Sequence, residues 1–174
     1  MSELIEQSGT DQQDAKKLES SLQFLSFTLG QEEYGVDILR VQEIRSWEPV
    51  SRIPNVPPYE KGVVNLRGAI VPIIDLRERF QLGHREYTPL TVVVVLQARI
   101  GDKTRIMGVV VDSVSDVVDV DKKSIQSAPN FGTKVSTEFI NGLSSVNGRM
   151  VMLLDVDKLL NLDGMNDEND NSNR

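Results

Sequence analysis

The feature that most restricts how this chain can fold is an internal repeat with an offset of 80 residues. The segment YEKGVVNLRGAIVPIIDLRERF at 59–80 aligns with FINGLSSVNGRMVMLLDVDKLL at 139–160. Two shorter matches precede it in the same order, 41–44 with 114–117 and Pro54-Asn55 with Pro129-Asn130. Any two hairpins share some residues, but the kept order favours two copies of one structural unit. Four pairs are identical in the long match: Gly62 and Gly142, Gly68 and Gly148, Val71 and Val151, Asp75 and Asp155.

Strand signals fill the repeated region. Runs of β-branched and aromatic residues between Gly and Asn turns predict strands at 22–29, 62–66, 69–74, 91–96, 105–111, 142–146 and 150–154. The run at 91–96 is typical of a strand that is buried on both faces. Helical stretches are few and short, at about 38–44, 76–80 and 156–160. With about five strands per copy, we expect a mainly β protein of two small barrels of SH3 size with a shared core.

Negative charge is concentrated at the two ends of the chain. Residues 1–20 and 163–174 each carry a net charge of −3, which leaves −1 for the residues between them. Both ends are polar and poor in large apolar residues, so we expect two disordered acidic tails around a folded region at 21–162. The nearly neutral folded region argues against nucleic acid or an anionic lipid surface as the main partner. No apolar run approaches the length of a membrane span, so direct membrane insertion is not expected.

The sequence does not provide the side chains for a catalytic triad or a zinc site. Cysteine is absent and His84 is the single histidine, so catalytic triads and zinc sites are incomplete. Four carboxylates stand close together, but a lysine follows the last of them where a calcium loop would continue, so a solvated strand face or turn is favoured. They are Asp112, Asp116, Asp119 and Asp121. We therefore expect no catalytic residue, no metal site and no cofactor.

Arg67 is poorly suited to a purely structural role. It occupies the first central position of the turn Leu66-Arg67-Gly68-Ala69, where φ is positive if the turn is of type I′. The second copy has Asn147 at this place, which such a turn prefers, whereas arginine is strained there by on the order of 1 kcal/mol. A strained residue at a loop tip indicates a binding role. The alternative is a different turn type that suits arginine.

The segment GVVNLRGAIVPIIDLRERF at 62–80 resembles the signature of the CheW family, the coupling proteins of bacterial chemotaxis. Further similarity at 24–44, 108–118 and 136–160 extends the resemblance to roughly 22–160. It implies two SH3-like five-stranded β-barrel subdomains formed from the internal repeat. Their expected bounds are about 21–85 and 86–162, with an exchange of strands between the lobes left open.

The resemblance also implies a function without catalysis or cofactor. Family members link the histidine kinase CheA, through its regulatory domain, to the cytoplasmic tips of methyl-accepting chemotaxis receptors. Contacts between related lobes build rings within receptor arrays. By resemblance, we therefore expect a cytoplasmic scaffold that is recruited to membrane receptors and allows them to control the kinase.

Candidate binding residues carry over by position from this resemblance. The receptor-facing residues are Ile38, Val41, Glu43 and Arg67. Core packing is the alternative for Ile38 and Val41, which stand at helical spacing, whereas Glu43 is polar beside apolar neighbours, as a rim contact would be. The kinase-facing residues are Phe131 and Gln126. Members of the family with an arginine a few residues before the phenylalanine have a charge where this chain has Gln126, so a charged contact there is in doubt.

Other classes of protein fit the sequence less well. The kinase itself needs catalytic and phosphotransfer domains, and an adaptor fused to a receiver needs roughly one further domain length. A barrel that binds small ligands or nucleic acid needs a basic or aromatic face, and none is visible in the sequence. A hydrolase needs a nucleophile beside a base, for which the sequence offers no pair.

Overall fold

A computed structural model describes residues 21–82, 86–127 and 137–161. These residues form ten strands with short helical turns between them. The strands are β1 Ser21–Leu29, β2 Glu32–Asp37, β3 Val41–Ser46, β4 Glu60–Leu66, β5 Ala69–Asp75, β6 Val92–Ile100, β7 Lys103–Val111, β8 Ser113–Asp121, β9 Ile140–Val146 and β10 Arg149–Leu154. The α-helices are single turns, α1 Leu76–Arg79 and α2 Val156–Leu159, and 3-10 turns occur at Ile38–Arg40, Lys122–Ser124 and Thr137–Phe139. The predicted acidic tails lie outside the described residues.

The strands form two five-stranded sheets whose orders are related by the repeat. The orders are β3-β6-β7-β5-β4, which we call barrel 1, and β8-β1-β2-β10-β9, which we call barrel 2. Each barrel takes three strands from one copy of the repeat and two from the other. The expected lobe bounds of about 21–85 and 86–162 follow the copies, whereas barrel 1 spans 41–111 and barrel 2 joins 21–37 to 113–154. The mainly β fold of two five-stranded barrels is confirmed.

Each barrel is closed by one isolated β-bridge at a matched place. In barrel 1, Ser51 pairs with Val63, and the two residues exchange hydrogen bonds of 3.2 and 2.9 Å. In barrel 2, Gln126 pairs with Leu143 through bonds of 2.8 and 2.7 Å. These bridges bring the chain that follows β3 or β8 onto the far edge of its own sheet, so that neither sheet remains open along its whole length.

The main apolar core lies between the two barrels, and both contribute to it. It includes Phe27 and Tyr34 of barrel 2, Leu96 of barrel 1 and Phe80, while smaller clusters fill each barrel. Alternate residues of β6 serve two of these clusters, because Val94 and Leu96 belong to the shared core and Val93 and Val95 to the interior of barrel 1. This arrangement explains the unbroken β-branched run that indicated burial on both faces.

Asp75 and Asp155, identical in the repeat, have the same structural task. Each is the N-cap of the helical turn after a hairpin. The Asp75 carboxylate accepts a hydrogen bond of 3.0 Å from the Arg77 amide, and the Asp155 carboxylate accepts one of 3.1 Å from the Lys158 amide. The cap satisfies amides that the first turn of a helix leaves without partners, which explains why both helical turns occur where the sequence predicted them.

The prediction of a helix at about 38–44 is wrong. Only Ile38–Arg40 turns, as a 3-10 helix, and Val41–Ser46 is strand β3, which pairs with β6. The Asp37 carboxylate accepts a hydrogen bond of 2.9 Å from the Leu39 amide and supports this one turn. From Val41 onward the backbone groups find partners along β6, and this tertiary ladder overrides the helical spacing of the apolar residues.

The burial of Tyr34 makes stability sensitive to alkaline pH. Its side chain is 1% exposed and lies between the rings of Phe27 and Phe80, with centroids 6.1 and 5.8 Å away. Burial, aided by the charge of Glu32, raises the pKa of Tyr34 from 10.0 to about 12. The folded protein therefore keeps this phenol neutral over a range in which the unfolded chain ionises it. Stability is lost as the pH rises above the unfolded pKa.

We expect Tyr34→Phe to reduce this alkaline loss. Between about pH 9 and 12, the free energy of unfolding should fall by about 2 kcal/mol less in the variant than in the parent protein. Urea unfolding at a series of pH values measures the difference, with Tyr59→Phe as the control at a partly exposed tyrosine. The same alkaline loss in the parent and Tyr34→Phe would contradict this account.

Candidate partner-binding surface

The chain crosses from barrel 2 to barrel 1 through the 3-10 turn at Ile38–Arg40. Leu39, at the centre of this turn, is 82% exposed, the highest value among the large apolar side chains that the structure describes. Its neighbours Ile38 and Val41 are partly buried and pack against the core between the barrels. Both residues therefore contribute to packing and also keep some exposed surface beside Leu39.

A β-bulge separates the directions of Val41 and Glu43. Val41 is the partner of Leu96 and Glu43 is the partner of Val95, with a register shift between the two pairs. Leu96 and Val95 face opposite sides of the sheet. Val41 therefore faces the core between the barrels, and Glu43 lies on the same face of the sheet as Val95. Both residues lie in the segment where the sequence predicted a helix, and the bulge was not predicted.

The hairpin between β4 and β5 confirms the strained turn expected at Arg67. Arg67 and Gly68 have φ values of 52° and 88°, close to the 51° and 77° of Asn147 and Gly148 in the other barrel. Positive φ at both central residues is the mark of a type I′ turn. The alternative, a turn that suits arginine, is excluded. The binding role of Arg67 stays a prediction.

The turn brings Arg67 and Glu43 to one place on barrel 1. Arg67 Nη2 lies 4.0 Å from Glu43 Oε2, and the Arg67 side chain is 86% exposed. At this distance and exposure the pair adds little to stability. Most of the guanidinium donors of Arg67 face outward, so a partner can approach them without displacing a buried group.

Three exposed apolar side chains in the crossover turn and in strands β3 and β5 were not predicted from the sequence. They are Leu39, Ile44 and Ile70. Ile70 follows the Arg67 turn and lines a groove of about 400 Å³ in barrel 1. In a strand, Ile44 shares one face with the polar residues Gln42 and Ser46, and this is the signal that could have placed Ile44 at the surface.

The residues expected to contact the kinase are only partly described. Gln126 closes barrel 2 through its main chain and has an exposed side chain. Phe131 and His84 lie outside the described residues. In the described ranges 21–82, 86–127 and 137–161, no three His, Cys, Asp or Glu residues are placed to hold a metal ion. In the same ranges, no helix has the length and apolar character needed to cross a bilayer.

A buried ionic network joins the two barrels. Arg77 is 1% exposed, and its guanidinium donates to both oxygens of Asp75 at 2.9 and 2.8 Å and to Asp112 at 3.2 Å. Asp112 stands between β7 and β8, and its other oxygen accepts a hydrogen bond of 2.7 Å from the Gly30 amide of barrel 2. Burial opposes the charge of Arg77, but its bonds to Asp75 and Asp112 outweigh this and raise its pKa.

Two five-stranded barrels with matched strand orders and a shared core define a duplicated-barrel class of β protein. The family model of the CheW-like domain matches residues 23–164. The chain therefore belongs to the CheW family, the non-catalytic coupling and scaffold proteins of bacterial chemotaxis.

Similar proteins cover most of this chain. It is 50% identical over 143 residues to the chemotaxis protein CheW of Klebsiella aerogenes. The aligned region covers 82% of this chain and 84% of that protein. It is 36% identical over 137 residues to the CheW of Rhizobium meliloti, covering 79% and 86% of the two chains. The crystal structure of the scaffolding protein TtCheW from Thermoanaerobacter tengcongensis has a TM-score of 0.73 and 30% identity, with 82% and 90% of the two chains covered.

Proposed function

We propose that this chemotaxis scaffold couples the histidine kinase CheA to methyl-accepting chemotaxis receptors. The receptor tip binds a surface formed by Ile38, Val41, Glu43 and Arg67, which we call the receptor surface. The regulatory domain of the kinase binds through Gln126 and Phe131. Repetition of these contacts assembles rings within cytoplasmic receptor arrays, and no cofactor takes part.

The observation that carries this proposal is the left-handed backbone of Arg67. The other barrel makes the same turn with Asn147, which shows that the fold itself does not need arginine. The guanidinium provides five donors in a fixed fork, which suits a carboxylate or backbone carbonyls on a receptor helix. Leu39 and Ile44 supply exposed apolar area on the chain that leads into and through β3. A small contact of this kind has modest affinity, as a signalling scaffold requires.

We expect Arg67→Asn to separate binding from stability. The melting temperature should stay the same or rise slightly, because asparagine tolerates positive φ better than arginine. Receptor binding should weaken by about 1–3 kcal/mol through the loss of a charge-assisted hydrogen bond. Arg67→Lys should restore binding only in part, since lysine cannot form the two-pronged contact. Thermal melting and receptor co-sedimentation on the same samples measure both effects.

The second barrel offers a matched control for this experiment. Asn147→Arg places an arginine in the equivalent turn, where it should lower stability by about 1 kcal/mol and leave receptor binding unchanged. If Arg67→Asn melts much lower and binds receptor normally at low temperature, Arg67 is structural and the receptor surface lies elsewhere.

A further inference from the structure

Each crossover between the barrels is held by an ion pair, and the repeat relates the two pairs with their charges reversed. Arg77 and Asp157 are matched by the 80-residue offset. Arg77 binds Asp112 where the chain passes from β7 to β8. Asp157 binds Arg40 where the chain passes from β2 to β3. In both halves of the protein, the second residue of the short helix, α1 or α2, holds the crossover through an ion pair. This residue is the cation in one half and the anion in the other.

The Arg40–Asp157 pair connects three parts of the chain. Arg40 donates from Nη1 and Nη2 to the two carboxylate oxygens of Asp157 at 3.0 and 3.1 Å. The Arg99 amide at the end of β6 donates to the same carboxylate at 2.6 Å. Asp157 in α2 thus holds both the crossover turn and the end of strand β6 in barrel 1. A two-pronged arginine contact fixes direction as well as distance, so the turn has one preferred orientation.

We propose that Asp157 is a positioning residue for the receptor surface. Through Arg40 it fixes the turn Ile38–Arg40, which presents Leu39 and sets the start of β3 ahead of Glu43. This inference rests on the proposed receptor-binding function of that surface. It assigns a role in receptor binding to a residue of α2 that is not itself part of the surface.

The exposure of the pair separates this role from a general role in stability. The side chains of Arg40 and Asp157 are 32% and 37% exposed, whereas the matched Arg77 is buried. Partly exposed ion pairs contribute little to the free energy of unfolding. The effect of the pair is therefore local, on the orientation of one exposed turn, and it should be larger in binding than in melting.

Asp157→Asn tests the inference directly. The variant keeps an oxygen that can accept from the Arg99 amide and removes the charge that holds Arg40. We expect an almost unchanged melting temperature, faster amide hydrogen exchange at Leu39 and Glu43, and receptor affinity lower by about threefold to fivefold. Kinase binding should not change. Arg40→Lys keeps the charge without the two-pronged contact and should give intermediate values.

Lys61→Gln is the matched control. It breaks the Lys61–Glu78 pair of 2.6 Å, which does not involve the crossover turn, and should change neither the exchange nor the receptor affinity. Arg67→Asn on the same receptor preparation tests the proposed function itself. If Arg67→Asn weakens binding while Asp157→Asn changes neither exchange nor receptor affinity, the inference is overturned and the proposed function stands. If Asp157→Asn lowers melting and kinase binding as much as receptor binding, Asp157 is only structural.

Discussion

Replacement of Gly62 by alanine is expected to prevent barrel 1 from closing, at a cost of more than about 4 kcal/mol in the free energy of unfolding. Gly62 has a φ of +145°, a conformation that side chains other than glycine rarely adopt. A Cβ at this position would lie 2.1 Å from the Ser51 carbonyl oxygen and 2.8 Å from its carbon. The obstacle is backbone and cannot rotate away. The bridge between Ser51 and Val63 must therefore break or move.

A series of three glycine variants tests whether the loss of stability comes from the contact with the Ser51 backbone. Gly68→Ala has a φ of +88° but no atom within 4 Å of the added Cβ, so it should cost only about 1 kcal/mol in strain. Gly142→Ala should lie between the two, because its Cβ approaches a movable Ile125 methyl at 2.5 Å and the Gln126 oxygen at 3.1 Å. Urea unfolding measures the series, and hydrogen exchange of the Val63 amide reports the bridge. Equal losses for Gly62→Ala and Gly68→Ala would show that the bridge does not depend on glycine.

Arg77→Met is expected to cost about 3–5 kcal/mol, because it leaves a buried carboxylate without its cation. The Asp75 side chain is 2% exposed, and both of its carboxylate oxygens accept hydrogen bonds from the Arg77 guanidinium. Methionine is close in volume, so the loss reflects charge and hydrogen bonding more than packing. Chemical denaturation near pH 7 measures the effect.

The double variant Arg77→Met with Asp75→Asn identifies the cause of this loss. It removes the uncompensated charge and should recover part of the stability, although the cap on α1 is weakened. Arg40→Met, at the matched but partly exposed pair, should cost no more than about 1 kcal/mol. If Arg77→Met costs no more than Arg40→Met, burial of the network adds nothing to stability.

The fold could be predicted from the sequence where its signals are local or repeated. The repeat indicated two similar barrels, and Asp75 and Asp155 stand at N-caps where short helical turns were expected. The helix expected at 38–44 failed because the competing signal is remote. Strand β3 exists through pairing with β6, about fifty residues further along the chain, and no short window of sequence contains that information.

In the candidate site too, the features that depend on local sequence were predictable and those that depend on distant parts of the chain were not. The strain at Arg67 was predictable because turn chemistry needs only four residues, and φ is positive there. The contact of Arg67 with Glu43 and the bulge beside Val41 depend on how distant strands of barrel 1 come together, and the exposure of Leu39 depends on the crossover between the two sheets. The roles of Phe131 and Gln126 in kinase binding rest on resemblance alone and stay predictions.

The order of strands along the chain has a consequence for folding during synthesis. Barrel 1 is one continuous stretch and can close as soon as β7 has left the ribosome, because domains fold as units while the chain emerges. Strands β1 and β2 emerge earlier, yet their neighbours β8 and β10 emerge last. In the folded protein, Phe27 and Tyr34 belong to the same core as Val94 and Leu96 of barrel 1, so we expect barrel 1 to cover them in the interval. We therefore expect the two strands made first to pack against barrel 1 until β8 and β10 have been made.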